Sequence, residues 1–150
     1  MIRISPVLTD ADVAAAKSLA WEFVDFLNHR YPERRENTAQ YLKEQRFEEM
    51  LDDFRHYFNP PNGECLLARR DREPVGIVML KPVSPQVCEM NRMFVRSNAR
   101  RCGIGRRLCR GEVVECHCFD GRDRVGIVGV GLNIAIEGRN RHAVLPSIVI

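Results

Sequence analysis

Long apolar runs are missing from this 150-residue sequence, and none approaches the roughly 20 residues that a membrane-spanning helix needs. No apolar stretch of signal-peptide length precedes Asp10 and Asp12, so we predict a cytoplasmic protein without a membrane segment. Repeats and low-complexity segments are also missing. The content of 45% hydrophobic and 29% charged residues is typical of globular proteins, and we predict a single domain over residues 1–150.

The six cysteines lack the dense spacing of a disulfide framework, and a chain of this length does not need one. We therefore expect free thiols in a reducing compartment. The Cys116-His117-Cys118 cluster suggests a metal ligand set, but metal-binding pairs are usually C-x-x-C or longer and no second cluster completes four ligands. We predict no metal site. Cys102, Cys109 and Cys116 recur every seven residues, which predicts small apolar residues on one buried helix face.

Lysine is scarce, with 3 residues against 20 arginines, and the net charge is only +3. Six of the arginines lie between residues 96 and 110 and form a patch that would attract a polyanion. Nucleic acid is one candidate partner. Against it, Phe94 is the one aromatic residue near the patch, and no zinc-finger or RRM signature accompanies it. A basic nucleic-acid-binding module is therefore the weaker alternative for this patch.

Hydrophobic periodicity divides the first three quarters of the chain into helices and strands. The predicted elements are a strand at 2–4, helices at 10–31 and 38–58, strands at 65–69, 75–81 and 87–95, and a helix at 103–116. Thr9 or Asp10 caps the first helix, which ends before Pro32. This order predicts a mixed α/β (α+β) fold.

Residues 90–111 carry the most informative pattern, because Arg100-Arg101-Cys102-Gly103-Ile104-Gly105-Arg106-Arg107 separates a strand from a helix and no acidic residue interrupts the stretch. Two glycines one residue apart let backbone N–H groups converge, and the helix adds its free N-terminal donors. A Cβ at either glycine would crowd a phosphate or require a positive φ. The pattern predicts a phosphate-binding turn. The alternative is a solvated, arginine-rich helix cap without a ligand.

Arg100-x-x-Gly103-x-Gly105 after a strand resembles the acyl-CoA pyrophosphate motif of the GCN5-related N-acetyltransferases, and Glu89-Met90-Asn91-Arg92-Met93-Phe94-Val95 is similar to their fourth strand. The order of the preceding elements matches as well, so the resemblance covers residues 1–115. It implies a mostly antiparallel central sheet flanked by helices. It also implies an enzyme that transfers acetyl from acetyl-CoA to a small-molecule or peptide amine by direct attack.

The resemblance further implies the roles of individual residues. Backbone N–H groups of Met93, Phe94 and Val95 would hold the pantetheine arm and the acetyl carbonyl. The pyrophosphate would bind to Arg100, Arg101, Cys102, Gly103, Ile104, Gly105 and Arg106, with charge-assisted hydrogen bonds from the first two side chains. Glu89 is the candidate general base, acting directly or through a water, with a pKa raised by burial. The alternative is a solvent-facing Glu89 that pairs with an arginine.

The chain departs from the family pattern from residue 116 onward, which predicts an atypical or incomplete C-terminal part. A strand near residues 125–130 is expected, and Gly129-Val130-Gly131 lacks the rest of a dinucleotide fingerprint. Family members usually carry a tyrosine that protonates the thiolate after the motif helix, whereas the tyrosines here are Tyr31, Tyr41 and Tyr57.

Three hypotheses for this departure stay open. The chain is a working variant that closes its sheet differently, a catalytically impaired protein that at most binds CoA, or a protein whose C-terminal segment is out of frame relative to an ancestral gene. Family members often pair through their C-terminal strands, so a homodimer is also an option. The sequence names neither the acceptor nor the oligomeric state.

Overall fold

The computed structural model describes residues 1–84, 87–110 and 126–128, with the backbone alone at 83, 84, 87–89, 109, 110 and 126–128. In chain order the elements are β1 (Ile2–Pro6), α1 (Asp10–Arg30), a 3₁₀ turn (Pro32–Arg34), α2 (Arg35–Glu44), α3 (Phe47–Asp52), α4 (Phe54–Phe58), β2 (Glu64–Arg70), β3 (Glu73–Ser84), β4 (Val87–Val95), a second 3₁₀ turn (Ser97–Ala99), α5 (Ile104–Arg110) and β5 (Gly126–Val128). The predicted mixed α/β fold is confirmed.

The strands form one sheet in the order β1-β2-β3-β4-β5. The first four pair antiparallel, and β5 pairs parallel with β4, with Gly126–Val128 beside residues 87–89. The predicted hairpin is β2 and β3, and β5 confirms the strand expected near residues 125–130. The sheet is therefore mostly antiparallel, as expected.

Helix α1 begins as the sequence predicts, at a capping box. The Thr9 side chain accepts from the Asp12 N–H at 3.1 Å, and the Asp12 carboxylate accepts from the Thr9 N–H at 2.9 Å. Arg69 on β2 also donates to this carboxylate. Burial alone would raise the pKa of Asp12, but these hydrogen bonds outweigh it and lower the pKa to about 2. The first turn of α1 is thereby fixed to the sheet.

The single helix predicted over residues 38–58 is wrong, because the chain forms α2, α3 and α4 instead. The first break lies at Arg46, whose φ is 53° and whose side chain pairs with Glu49. No glycine or proline marks either break in the sequence. Phe47, Phe54 and Phe58 all lie buried against the sheet, and their spacing also fits one face of a single helix, so the hydrophobic periodicity does not reveal the breaks.

The sheet carries a hydrophobic core on each face. One face packs against α1, α3 and α4, and its members include Leu19, Phe23, Phe47, Phe54, Phe58, Leu67, Ile77, Met79 and Phe94. The other face packs against α5, and its members include Ile4, Leu66, Val75, Val78, Leu80, Ile104 and Leu108. The sheet therefore lies between two helical layers. Helices from both layers contact β4, which is the strand that borders the candidate site.

Helix α5 begins at Ile104, one residue later than predicted, and the expected inward positions Ile104 and Leu108 are buried. The prediction that Cys102 lies on the buried helix face is wrong, because Cys102 precedes the helix and is exposed. Cys109's side chain and Cys116 lie outside what the structure describes. None of the helices in the described part of the chain is long and apolar enough to cross a membrane.

Candidate active site

Strand β4 contains an irregularity at Asn91 that shapes the edge of the sheet. Arg92 lies opposite Met79 and Met90 lies opposite Leu80, so Asn91 is an extra residue without a counterpart on β3. This is the arrangement of a β-bulge, which bends a strand and increases its twist. Beside residues 87–89 lies β5, whereas from the bulge to residue 95 the outer edge of β4 faces no described strand.

The chain leaves β4 through the second 3₁₀ turn and enters a glycine turn, which we define as residues 100–105. Arg101 and Gly103 adopt positive φ angles of 65° and 77°. The first helical hydrogen bond runs from the Arg107 N–H to the Gly103 carbonyl at 3.0 Å. Within the described part of the chain, no acceptor meets the backbone N–H groups of residues 101–106. A row of hydrogen-bond donors therefore lies open at the start of α5.

The two glycines of this turn serve different purposes. Gly103 needs its positive φ, which L-residues adopt only with strain, and a Cβ built there meets nothing within 4 Å. Open space therefore lies beside Gly103, within the row of donors. A Cβ on Gly105 would point at the Met93 methyl carbon at 3.9 Å, so Gly105 marks where the turn passes β4.

Arg100 turns its side chain away from this open space. Its guanidinium lies over the Phe26 ring, 4.6 Å from the centroid, and its Nε donates to the Val95 carbonyl at 2.9 Å. The side chain thus joins α1 to the end of β4. The motif implies that this guanidinium contacts a phosphate. Such a contact would compete with its packing over the Phe26 ring.

The other predicted residues of the turn and strand divide into exposed and packed groups. Arg101, Cys102 and Arg106 are exposed and surround the open donors. Phe94 is buried against α1, where its ring lies 6.1 Å from those of Phe23 and Phe26, and Ile104 is buried on the α5 face. Met93 and Val95 are partly buried and pack against that same α5 core. The site would therefore present backbone groups rather than these apolar side chains.

Glu89 lies near the start of β4, two residues before the bulge. The register places it opposite Lys81 on β3 and Val128 on β5. Its distance from Val95 along the strand is roughly 20 Å at about 3.3 Å per residue. Glu89 and the glycine turn thus occupy opposite ends of the same edge of β4.

Arg96 forms the densest polar network near the glycine turn. Its Nε and Nη2 donate to the Glu22 carboxylate at 2.7 and 2.6 Å, and its Nη1 donates to the Glu73 carboxylate at 3.0 Å and to the Pro74 carbonyl at 2.7 Å. Hydrogen bonding from Arg96 lowers the pKa of Glu22 from its ordinary value. The side chain thereby connects α1, the β2–β3 turn and the end of β4.

A cleft of about 430 Å³ opens beside this network, between α1 and the end of β4. Its lining includes Asp25, Phe26, His29, Phe94 and Asn98. The His29 Nδ1 lies 3.2 Å from the Asp25 carbonyl, which accepts from it. His29 thus borders the cleft from the last turn of α1.

Sequence patterns do not predict several features of the site. An asparagine amid apolar strand residues is a weak signal for the bulge at Asn91, because asparagine is depleted in strands. The partners of Arg96 and Arg100 on α1 carry no local signal at all. Among the described residues, no group of three His, Cys, Asp or Glu side chains could hold a metal ion. The Cys116-His117-Cys118 cluster lies outside them.

Comparison with known proteins identifies the family. A model of the acetyltransferase (GNAT) family matches residues 21–127. The chain belongs to this family. The match reaches into β5 and so extends beyond residue 115, where the sequence motifs end. Membership places the protein among the acyltransferases.

Solved structures support the GNAT fold. The PaiA N-acetyltransferase of Thermoplasma acidophilum, in complex with coenzyme A, is 18% identical with a TM-score of 0.55, over 75% of this chain and 69% of that one. A Staphylococcus aureus GNAT acetyltransferase is 19% identical with a TM-score of 0.50, and the match covers 74% of this chain and 62% of that one. The ribosomal-protein-alanine N-acetyltransferase of Brucella melitensis is 18% identical with a TM-score of 0.51, and the match covers 89% of this chain and 82% of that one. Among curated proteins, none matches the sequence significantly.

Proposed function

We propose that this GNAT protein transfers an acetyl group from acetyl-CoA to an amine acceptor. The observation that carries the proposal is the row of open N–H groups at residues 101–106, with free space in front of Gly103. Such an array, with the exposed Arg101 and Arg106 beside it, is complementary to a diphosphate. Family membership and the coenzyme A complex of a fold neighbour support the same donor.

In this proposal the donor lies along the outer edge of β4. The diphosphate binds the backbone of the glycine turn and Arg106, and the backbone of Met93, Phe94 and Val95 holds the pantetheine arm. From there the edge leads to the bulge at Asn91. When bound, acetyl-CoA supplies a thioester carbonyl that an amine attacks. The chain's own residues orient this carbonyl and receive the amine's proton.

Glu89 is the proposed general base, because it is an acidic residue in β4 close to the bulge. A carboxylate there would take a proton from the attacking ammonium, directly or through a water. Glu89→Gln should lower kcat about 100-fold or more, since it removes the basic oxygen but keeps the size of the side chain. The acetyl-CoA affinity should stay unchanged. A variant with the parental kcat would show that Glu89 takes no part in the reaction.

The activity is tested with a panel of small amines and short peptides bearing free amino groups. The purified protein is incubated with acetyl-CoA and each acceptor, and a mass increase of one acetyl group is sought by mass spectrometry. Product mass is preferable to a thiol-reactive dye, because the exposed Cys102 would itself consume the dye. Acetylated product above the protein-free rate supports transfer. Acetyl-CoA binding without product on any acceptor contradicts it.

A second candidate function is CoA binding without transfer, and the distribution of tyrosines favours it. The sequence has no tyrosine after Tyr57, so no tyrosine follows α5 to protonate the departing thiolate. Binding with no product would support this candidate, whereas product formation would exclude it. The cytoplasmic location, a homodimer and the single-domain boundary at 1–150 stay predictions beside either function.

A further inference from the structure

Arg96 links three elements at the point where β4 ends. Its guanidinium donates twice to Glu22 on α1, and also to Glu73 and the Pro74 carbonyl at the β2–β3 turn. Its backbone N–H donates to the Val75 carbonyl at 2.9 Å. The Arg96 and Glu22 side chains are only 27% and 34% exposed. Two parallel hydrogen bonds at partial burial define a geometry more strictly than a surface ion pair does.

Arg100 holds the same helix one 3₁₀ turn later. Its guanidinium lies over Phe26 and its Nε donates to the Val95 carbonyl. Glu22 and Phe26 are four residues apart, so they share one face of α1. Residues 96–100 are therefore clamped to α1 at both ends.

The glycine turn begins where this clamp ends. Arg101 and Gly103 have positive φ angles, so neither a helix nor a strand ladder fixes their position. The direction of the open N–H groups then depends on where residue 100 is held. A site whose donors are already oriented loses less conformational entropy when its ligand binds.

We propose that Arg96 is a positioning residue, which through Glu22 fixes the glycine turn on α1 in the arrangement that receives the diphosphate of acetyl-CoA. This inference rests on the proposed function. In this proposal Arg96 acts through Glu22 and not through contact with the donor. The Glu73 branch holds the β2–β3 turn and leaves α1 untouched, so it provides a matched comparison within the same network.

The experiment compares Glu22→Gln with Glu73→Gln by calorimetric titration with acetyl-CoA. Each change removes one carboxylate from Arg96 and keeps the side chain's size. Glu22→Gln should weaken the binding of acetyl-CoA about tenfold, which corresponds to about 1.4 kcal/mol. The affinity of Glu73→Gln should stay within about twofold of the parent's. Arg96→Lys should resemble Glu22→Gln, because an ammonium cannot reproduce the two-pronged contact. It also provides a second route if Glu22→Gln folds poorly.

Two further readouts separate positioning from general stability. Glu22→Gln and Glu73→Gln should have similar thermal midpoints, although their affinities for acetyl-CoA differ. Dephospho-CoA keeps the diphosphate but lacks the 3′-phosphate. Its affinity should fall in Glu22→Gln by the same factor as the affinity for acetyl-CoA. Equal affinities of the two variants, or an affinity of Glu22→Gln equal to that of the parent, would overturn the proposal. A folded parent that binds no acetyl-CoA would overturn the proposed function and this inference with it.

Discussion

The arginine-rich segment at the end of β4 has an inward half and an outward half. The inward half is defined by contact with α1: Arg96 is partly buried and binds Glu22, and Arg100 lies over Phe26 although its side chain is itself exposed. Arg101 and Arg106 are exposed beside the open N–H groups of the glycine turn. The four residues have the same side chain within eleven positions, so their different environments come from tertiary structure.

The difference shows that one basic patch can do two things. Arg96 has carboxylate and carbonyl partners, and Arg100 has a carbonyl and an aromatic ring, so both guanidinium groups are already engaged within the fold. The outward arginines keep their charge available to an anion. We therefore expect the inward pair to govern stability and turn position, and the outward pair to govern ligand affinity.

The largest effect should come from Gly103, where a new carboxylate would confront the diphosphate. Gly103→Asp should weaken acetyl-CoA about 100-fold or more by calorimetry, through charge repulsion and loss of open space. The fold should persist, because a Cβ there meets nothing within 4 Å, although the φ of 77° costs about 1 kcal/mol.

Gly103→Asn is the control for this change, since asparagine tolerates positive φ and carries no charge. It should bind acetyl-CoA more tightly than the aspartate variant. Parental affinity in Gly103→Asp would show that the glycine turn is not the donor site.

Removing the outward charges should have the next largest effect. A double variant, Arg101→Ala with Arg106→Ala, should weaken acetyl-CoA about tenfold and reduce the salt dependence of binding, because two exposed cations near the phosphates are lost. Its thermal midpoint should stay close to the parent's. A large loss of stability with unchanged affinity would reverse the roles assigned to the two halves.

Arg100→Ala tests the inward half directly. It should lower the free energy of unfolding by about 1–2 kcal/mol, since it removes the contact with Phe26 and the hydrogen bond to Val95. Denaturant titration measures the change, with Arg101→Ala as the exposed control expected within about 0.5 kcal/mol. Equal stabilities of the two variants would contradict an inward clamp.

Acid should produce the smallest of these effects, through another inward arginine, Arg69, which contacts Asp12. The pKa of Asp12 is about 2 when folded and 3.8 ordinarily, so this stabilisation is full well above pH 3.8 and is lost as the pH falls toward 2. About 1 kcal/mol should be lost at pH 3 relative to pH 7. Denaturant titrations at both pH values should show a smaller loss in Asp12→Asn. An equal loss would exclude Asp12 as the cause.

Short-range patterns predicted much of the fold. The cap at Thr9, the β2–β3 hairpin and the glycine turn depend on residues within a few positions of each other, and the structure has all three. The break at Arg46 was missed because no glycine or proline marks it. The seven-residue repeat does not predict the exposure of Cys102, because the helix begins only at Ile104.

The candidate site was only half predictable, for a physical reason. The open donors follow from a glycine turn before a helix, which is a local property. The orientation of Arg96 and Arg100 depends on Glu22 and Phe26, which lie 74 residues before each of them in the chain. No pattern within residues 90–111 distinguishes an arginine with such a partner from one without.

Binding of the acetyl-CoA diphosphate by the glycine turn underlies the proposed function and the role of Arg96. Calorimetric titration of the parent protein with acetyl-CoA tests it most directly, with ATP as a comparison ligand that also carries a polyphosphate. We expect micromolar binding of acetyl-CoA and weaker binding of ATP. A folded protein that does not bind acetyl-CoA, or that binds ATP as tightly, would show that the glycine turn is not a specific site for this donor.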